Sequence, residues 1–362
     1  MIKKIMIALC VAFCLFAVGY NSWQSEKQAT TGKKKVYAIL PVTGGHSFQG
    51  KDEKRAMEVW MKQHPEAPFE LEILDNESNA TKSLTLAQRA AMSDKHPLFI
   101  VPIGAMGHPI IPQLKSMNGF MILSPSTQEE DGTYKEFQRI SQGAADMNKP
   151  MFDMLKKGQS AVIIHSNEMA GHTSAGKTQK IMQEKGMKIL EKIAFDLKEL
   201  DMRILVLKAL SYKPDVIFVT SGPGIGFINI IKELKVQQYP GIILADPSIT
   251  TPSVFELLKE YADGIYTSIM PTERTYREHP EMIKALADNN LPLYWVPINI
   301  WDIMDVVNHF ITNNIPFSQE EFMKMGKWHG LSCDVQFLPN GNSSYEFSLV
   351  VVKDGQFVPV KE

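Results

Sequence analysis

The stretch Gly171-His-Thr-Ser-Ala-Gly176-Lys177-Thr178 satisfies the pattern G-x-x-x-x-G-K-[ST] in full. In a nucleotide-binding loop, backbone N–H groups at these positions cradle phosphates. Lys177 would then reach the outer phosphates and Thr178 would hold Mg²⁺. Ile242-Ile-Leu-Ala-Asp246 imitates the apolar strand that ends in a metal-holding Asp. Against this reading, Asn167-Glu-Met-Ala170 separates the loop from its strand, and Glu168 would repel phosphate. Ser174-Ala-Gly-Lys177 also spells the S-x-x-K of serine acylases, but the companion K-T-G is absent. Gly222-Pro-Gly224-Ile-Gly226 follows a strand and opens a helix, yet its third glycine comes too early for a dinucleotide fingerprint. The nine histidines include no H-E-x-x-H pair, so no metal site and no cofactor is expected.

The elements that must position these residues are set by composition first. The chain has 362 residues, a formal net charge of −2, 44% hydrophobic and 22% charged residues. That length suits two lobes with ample core, and the charge balance argues against a nucleic-acid partner. Lys3 and Lys4 precede Ile5–Tyr20, a run without charge, and Ala17 and Gly19 are small residues at the positions a signal peptidase reads. This is the layout of a secretory signal over residues 1–19, with cleavage after Gly19; an uncleaved membrane anchor is the alternative. Leu9 and Phe13 are too bulky to precede a lipidated Cys10 or Cys14. Export would leave Cys333 as the one mature cysteine, a buried inert thiol rather than half of a disulfide. It would also leave the chain with little ATP to bind. Residues 20–35 read as a flexible leader.

From Val36 onward, short apolar runs alternate with amphipathic stretches. The runs are Val36–Val42, Phe69–Asp75, Pro97–Gly104, Phe120–Ser126, Ser160–Ser166, Ile189–Phe195, Asp215–Ser221, Gly241–Asp246 and Gly264–Met270. Most are apolar at nearly every position, as strands buried on both faces must be. Between them, Gly50–His64, Leu84–Met92 and Phe227–Leu234 carry apolar residues at helical spacing. The alternation implies an α/β fold of two doubly wound parallel-sheet lobes joined by a hinge. Nine strands are natural for two sheets. Polar stretches at Ser141–Asn148, Pro271–Pro280 and either Asn314–Ser318 or the region of His329 would carry the crossings. The expected lobes are 36–143 plus 272–330 and 144–271 plus 331–362. Open α/β sheets bind ligands at the carboxyl ends of their strands, so the site should be the cleft between the lobes.

Several segments, in order, resemble the branched-chain amino-acid binding family of type I periplasmic binding proteins. Val36-Tyr-Ala-Ile-Leu-Pro-Val-Thr-Gly44 with Phe48-Gln-Gly50 is similar to that family's first strand and turn. Leu71-Glu-Ile-Leu-Asp75 with Asn79-Ala-Thr-Lys82, Ile100–Gly104 and Met121–Thr127 resemble the next three strands. Trp301-Asp302 resembles a Tyr-Asp pair opening a late helix. Ser332–Phe337, Asn340-Gly341 and Val352–Val358 are similar to the C-terminal hairpins. The match runs from about residue 35 to the end.

This resemblance implies a bilobal binding protein without catalysis, working as a monomer outside the cytoplasm and handing a small molecule to an ABC permease. A variant of the role delivers the signal to a membrane receptor instead. The family holds an amino acid by its carboxylate in the first lobe and its ammonium in the second, often under an aromatic lid. Carried over, the ligand residues would be Thr43 and Phe48 on the first loop, Ala105, Met106 and His108 on the third, and Ser126 and Thr127 on the fourth. In the second lobe they would be Ala170, Ser221, Gly222 and Asp246, with Asp246 placed for an ammonium. His108 stands where the family often has Ser, and Ala170-Gly171 replaces its Tyr-Gly, which removes the lid. The same alignment puts Gly171 at a helix start, with Gly176 an interior glycine, and a helix cannot also be an open phosphate cradle. Each polar residue also has a plain structural reading: Thr127 as a helix cap, Asp246 before Pro247 as a turn starter. Trp60, Trp295 and Trp301 are expected in the core.

Overall fold

The computed structural model describes residues 33–124, 132–141, 147–196, 199–220, 222 and 224–360. The chain first lays down β1 (Lys34–Leu40), α1 (Ser47–Gln63), β2 (Phe69–Asp75), α2 (Ala80–Ser93), β3 (Leu98–Val101), α3 (Gly104–Gly107), β4 (Phe120–Leu123) and β5 (Phe137–Arg139). It then forms α4 (Lys149–Asp153), β6 (Ser160–Ser166), α5 (Met169–Glu184), β7 (Lys188–Phe195), α6 (Arg203–Ser211), β8 (Val216–Thr220), α7 (Ile225–Val236), β9 (Ile242–Ala245), α8 (Pro252–Leu258) and β10 (Tyr266–Ile269). A third passage holds α9 (Glu273–Glu278), α10 (Pro280–Asp288), α11 (Trp295–Thr312), α12 (Gln319–Met325), β11 (Lys327–His329), β12 (Asp334–Phe337) and β13 (Ser343–Ser344). It ends with β14 (Ser348–Lys353) and β15 (Gln356–Pro359).

Two main sheets result, with strand orders β2-β1-β3-β4-β5 and β15-β14-β10-β9-β8-β6-β7. All pairs of the first are parallel. So are those of the second from β10 to β7, while β14 and β15 add an antiparallel edge. The order reverses direction at β1 in the first sheet and at β6 in the second. At such a reversal the helices leave to opposite faces and open a crevice at the strands' carboxyl ends. The topology therefore puts a crevice at the β1/β3 loops and another at the β6/β8 loops.

The strands are apolar because both faces are covered. Val36, Ala38 and Leu40 enter one core cluster while Tyr37 and Ile39 enter another. In the second sheet Val162 and Ile164 face one cluster, Ala161 and Ile163 the other. The edge strand β7 shows instead the exposed–covered alternation of a strand with a wet side. In α11 every residue from Trp295 to Met304 is buried, as expected of a helix apolar all round. It carries Trp295 and Trp301 into the first lobe's core beside Trp60.

The third crossing lies later than the sequence suggests. Residues 331–345 were expected in the second lobe, but Leu331, Cys333, Val335, Phe337 and Tyr345 pack into the same cluster as Val36 and Trp60. Two bonds hold this segment to α11: the Leu331 N–H donates to Asp302 Oδ1 at 2.9 Å, and the Tyr345 hydroxyl donates to Asp302 Oδ2. The chain rejoins the second sheet only at β14. Asn314–Ser318 carries no crossing; Phe317 of this stretch packs with Phe120, beside the stacked Phe322 and Phe310. Among the described residues no helix is long and apolar enough to cross a membrane; the expected signal, residues 1–19, lies outside them, as does the leader up to residue 32.

Candidate functional site

The two crevices are built alike. Where β1 enters α1, a Cβ on Gly50 would come within 2.1 Å of the Pro41 carbonyl oxygen. Where β6 enters α5, a Cβ on Gly171 would come within 2.1 Å of the Ser166 carbonyl oxygen. Glycine at each position lets the helix lie against the strand end, so the intervening loop is pushed out over the crevice.

The first-lobe loop carries Thr43, His46 and Phe48. The Thr43 hydroxyl donates to Asp75 Oδ2 at 2.8 Å and its N–H to Asp75 Oδ1 at 3.2 Å. The His46 N–H donates to Ser78 Oγ at 3.0 Å, and that hydroxyl donates to Thr43 O. The loop is thereby fixed to the β2–α2 turn, and Thr43 serves first as its tie. Phe48 is half-buried and lines a groove with Val42, Lys51 and Arg55, faced by Ser253 of the second lobe. Met106 does not present its side chain to the crevice: it is buried in the core beneath α2 and α3, and its N–H donates to Ile103 O at 2.9 Å. The short α3 consumes the loop's donors in the same way, for the N–H groups of Gly107 and His108 go to Ile103 O and Gly104 O. Ala105 and His108 remain half-buried at its surface. Ser126, Thr127 and Ser221 lie outside the described residues, as does the side chain of Ala170.

In the second lobe Asp246 and Gly222 come together at the ends of β9 and β8. Asp246 is buried, accepts from the Ser248 N–H at 2.9 Å and so caps the turn Pro247–Thr250. The Gly222 N–H approaches its other oxygen at 3.4 Å. Gly222 takes φ +79°, and a Cβ there would meet open space, so its conformation, not crowding, favours glycine.

Residues that the sequence did not place at the ligand complete the picture. His46 Nε2 of the first lobe lies 3.5 Å from Glu168 Oε2 of the second, a close approach across the cleft without a hydrogen bond. Beside it the rings of His165 and His172 meet edge to face at 4.8 Å, and His172 Nε2 lies 3.0 Å from Asn167 Oδ1. Burial holds His165 below the usual histidine pKa, the neighbouring His172 adding to the effect. Nothing in the local sequence pairs His46 with Glu168, because only the fold brings their lobes together.

The Gly171–Thr178 motif is helical throughout, within α5. The His172 N–H donates to Glu168 O at 2.9 Å, and Thr178 is fully buried, its hydroxyl without a partner among the described residues. These groups are spent on helix and packing, so the phosphate-loop reading loses its cradle. Among the described residues no cluster of His, Cys, Asp or Glu has a metal-binding arrangement.

The periplasmic binding protein family matches residues 35–290. No curated protein sequence matches the chain. Among solved structures, a leucine-binding protein from Thermotoga maritima superposes with a TM-score of 0.78 at 18% identity, covering 91% of this chain and 98% of that one. An extracellular ligand-binding receptor from Rhodopseudomonas palustris gives 0.79 at 17%, covering 92% and 100%. An ABC-transporter solute-binding protein from R. palustris, solved with benzoate, gives 0.76 at 17%, covering 91% and 96%.

Proposed function

Because the chain belongs to the periplasmic binding protein family, we propose that it captures an amino acid or a related carboxylate between its lobes and delivers it to an ABC importer. The observation that carries this reading is the facing of the two strand-end crevices, bridged at one point by His46 and Glu168. A solute enclosed there would meet Thr43, Phe48 and His108 from the first lobe and Asp246 from the second. Hinge closure around it would present a changed surface to the permease. The leucine-binding and benzoate-binding relatives in fold bracket the ligand chemistry. Both carry a carboxylate; they differ in the ammonium that Asp246 would take. Residues 1–19 would serve as the export signal, and the mature protein would act as a monomer in the periplasm.

The test is a thermal-shift screen of residues 20–362 against amino acids, benzoate, 4-hydroxybenzoate and Mg-ATP. A ligand at 100 times its Kd adds about 2.7 kcal/mol of stability. The expected result is a rise in Tm with an amino acid that Asp246→Ala abolishes. A rise with benzoate alone would retain the cleft and remove the ammonium role of Asp246. A rise with Mg-ATP alone would overturn the reading.

A further inference from the structure

A separate cavity of about 440 Å³ lies where the second crossing leaves β10. Its walls come from both lobes. Phe255 of α8 and Phe357 of β15 stand on one side, their rings 4.7 Å apart and tilted by 38°. Tyr294 and Trp295, at the start of α11, stand on the other, 6.3 Å apart and edge to face. Met270 belongs to the crossing itself. Among the described residues no charged side chain lines the cavity, in contrast to the cleft with its Asp246, His46 and Glu168. Of the lining polar groups, the Thr250 hydroxyl donates to Pro247 O at 2.7 Å and the Tyr294 hydroxyl to Asp52 Oδ2 at 2.6 Å, while Thr272 is half-buried and Gln356 exposed, where water can serve them. Burial beside Asp52 keeps the Tyr294 phenol well above its ordinary pKa, hence neutral. The buried group left over is Trp295, 8% exposed, whose indole N–H has no partner among the described residues.

We infer that this cavity is a second binding site, for a flat uncharged molecule of one or two rings that carries a hydrogen-bond acceptor. Its volume falls in the range of small-molecule pockets. An anion would lose its hydration there for a single neutral donor and a cation for none, whereas two aromatic pairs offer faces and edges to a planar ring. The acceptor would satisfy the buried Trp295 N–H. Because the aromatic pairs belong to different lobes, parting the lobes would remove one wall. Occupancy therefore favours the lobe disposition seen here, and by linkage the cavity ligand and the cleft ligand should strengthen one another. That coupling rests on the solute-capture reading above; the site itself does not.

Coumarin, neutral, flat and bearing a carbonyl acceptor, is the probe, titrated by ligand-observed NMR against the full mature chain, with naphthalene-2-carboxylate as the charged comparison. The expected Kd for coumarin is about 1 mM or tighter. Gln356→Trp, which fills the cavity from the exposed β15 edge, should weaken it about tenfold. Trp295→Phe, which keeps a ring and removes the N–H, should weaken it severalfold and leave naphthalene-2-carboxylate unaffected. Asp246→Asn, which removes the cleft charge and keeps an acceptor for the Pro247–Thr250 turn, should leave coumarin binding unchanged. The site is overturned if coumarin fails to bind, if both cavity variants bind it as well as the parent, or if Asp246→Asn abolishes its binding. If coumarin binds but leaves the affinity for leucine and benzoate unaltered, the coupling fails and the site stands. If neither leucine nor benzoate binds at all, the cleft reading fails while the coumarin measurements still decide the cavity.

Discussion

In the first lobe the β1–α1 turn, and in the second the β6–α5 turn, are closed by glycines in the same relation to the strand before them. Gly50 sits against Pro41 O and Gly171 against Ser166 O, each with room for a hydrogen and none for a methyl group. Beyond that shared device the lobes differ in what they bury. The first holds two buried acids, Glu53 and Asp302, and a half-buried one, Asp305. Burial pushes Glu53 up to about 8, Asp302 to about 7 and Asp305 to about 6. Each accepts a hydrogen bond, from Gln49, from Tyr345 and Leu331, and from Trp60 respectively. In the second lobe the buried acid Asp246 sits at the strand ends and caps its turn, and a shifted acid such as Asp201 lies at the surface, pulled to about 2 by Arg203. The strand-end turns are thus alike, while the acids pushed up by burial fall in the first lobe, which must fasten residues 331–345 to its earlier segments. Asp302 does that fastening, tying residues 331–345 to α11.

The largest effects should come from the two closing glycines. Gly50→Ala and Gly171→Ala each force a helix away from its strand and should cost about 3 kcal/mol, read from urea denaturation. Equal losses would support the equivalence of the two turns; a silent Gly171→Ala would break it. Asp302→Ala should cost a similar amount, about 3 kcal/mol, since it orphans the Leu331 N–H and the Tyr345 hydroxyl in the interior. The same stability curves would show whether the loss falls on the first lobe.

A smaller effect should appear in the pH dependence. Glu53, Asp302 and Asp305 have folded pKa values above their unfolded ones, so the folded chain holds more protons between those limits. Stability must then fall as pH rises from about 4 to about 8, and level off above. His165, shifted the other way, adds an opposing rise below its ordinary pKa. Denaturation midpoints from about pH 5 to about pH 8 should decline in the parent and decline less in Glu53→Gln. An unchanged slope in that variant would remove Glu53 from the account. The smallest effect is a gain: Gly176→Ala, at an interior helical position where a Cβ meets nothing, should stabilise by about 1 kcal/mol. A phosphate cradle at that position would make the same change harmful to ligand binding.

Much of the architecture was legible because strands covered on both faces announce themselves. Each of the nine apolar runs overlaps a strand, from Val36–Val42 with β1 to Gly264–Met270 with β10. The short β5 did not stand out, since Phe137–Arg139 is fully buried yet includes Gln138 and Arg139. The third crossing was misplaced because Asp302 and its partners Leu331 and Tyr345 are far apart in sequence, and a side-chain tether leaves no periodic trace. In the site, Asp246 and Gly222 follow from their places at strand ends, and the structure brings them together. Met106 belongs to the core because α3 turns it inward. His46 and Glu168 could not be paired from sequence, for each is an ordinary loop residue until the lobes meet.

The central claim is that a solute is held between the two strand-end crevices, and amide hydrogen exchange tests it most directly. Exchange would be followed with and without saturating leucine, and with and without benzoate. The account predicts slowed exchange for one of these ligands in the β1–α1 loop around Thr43–Ser47 and, together with it, in the segments around Gly222 and Asp246. Protection confined to one lobe would contradict enclosure between them, and with it the account.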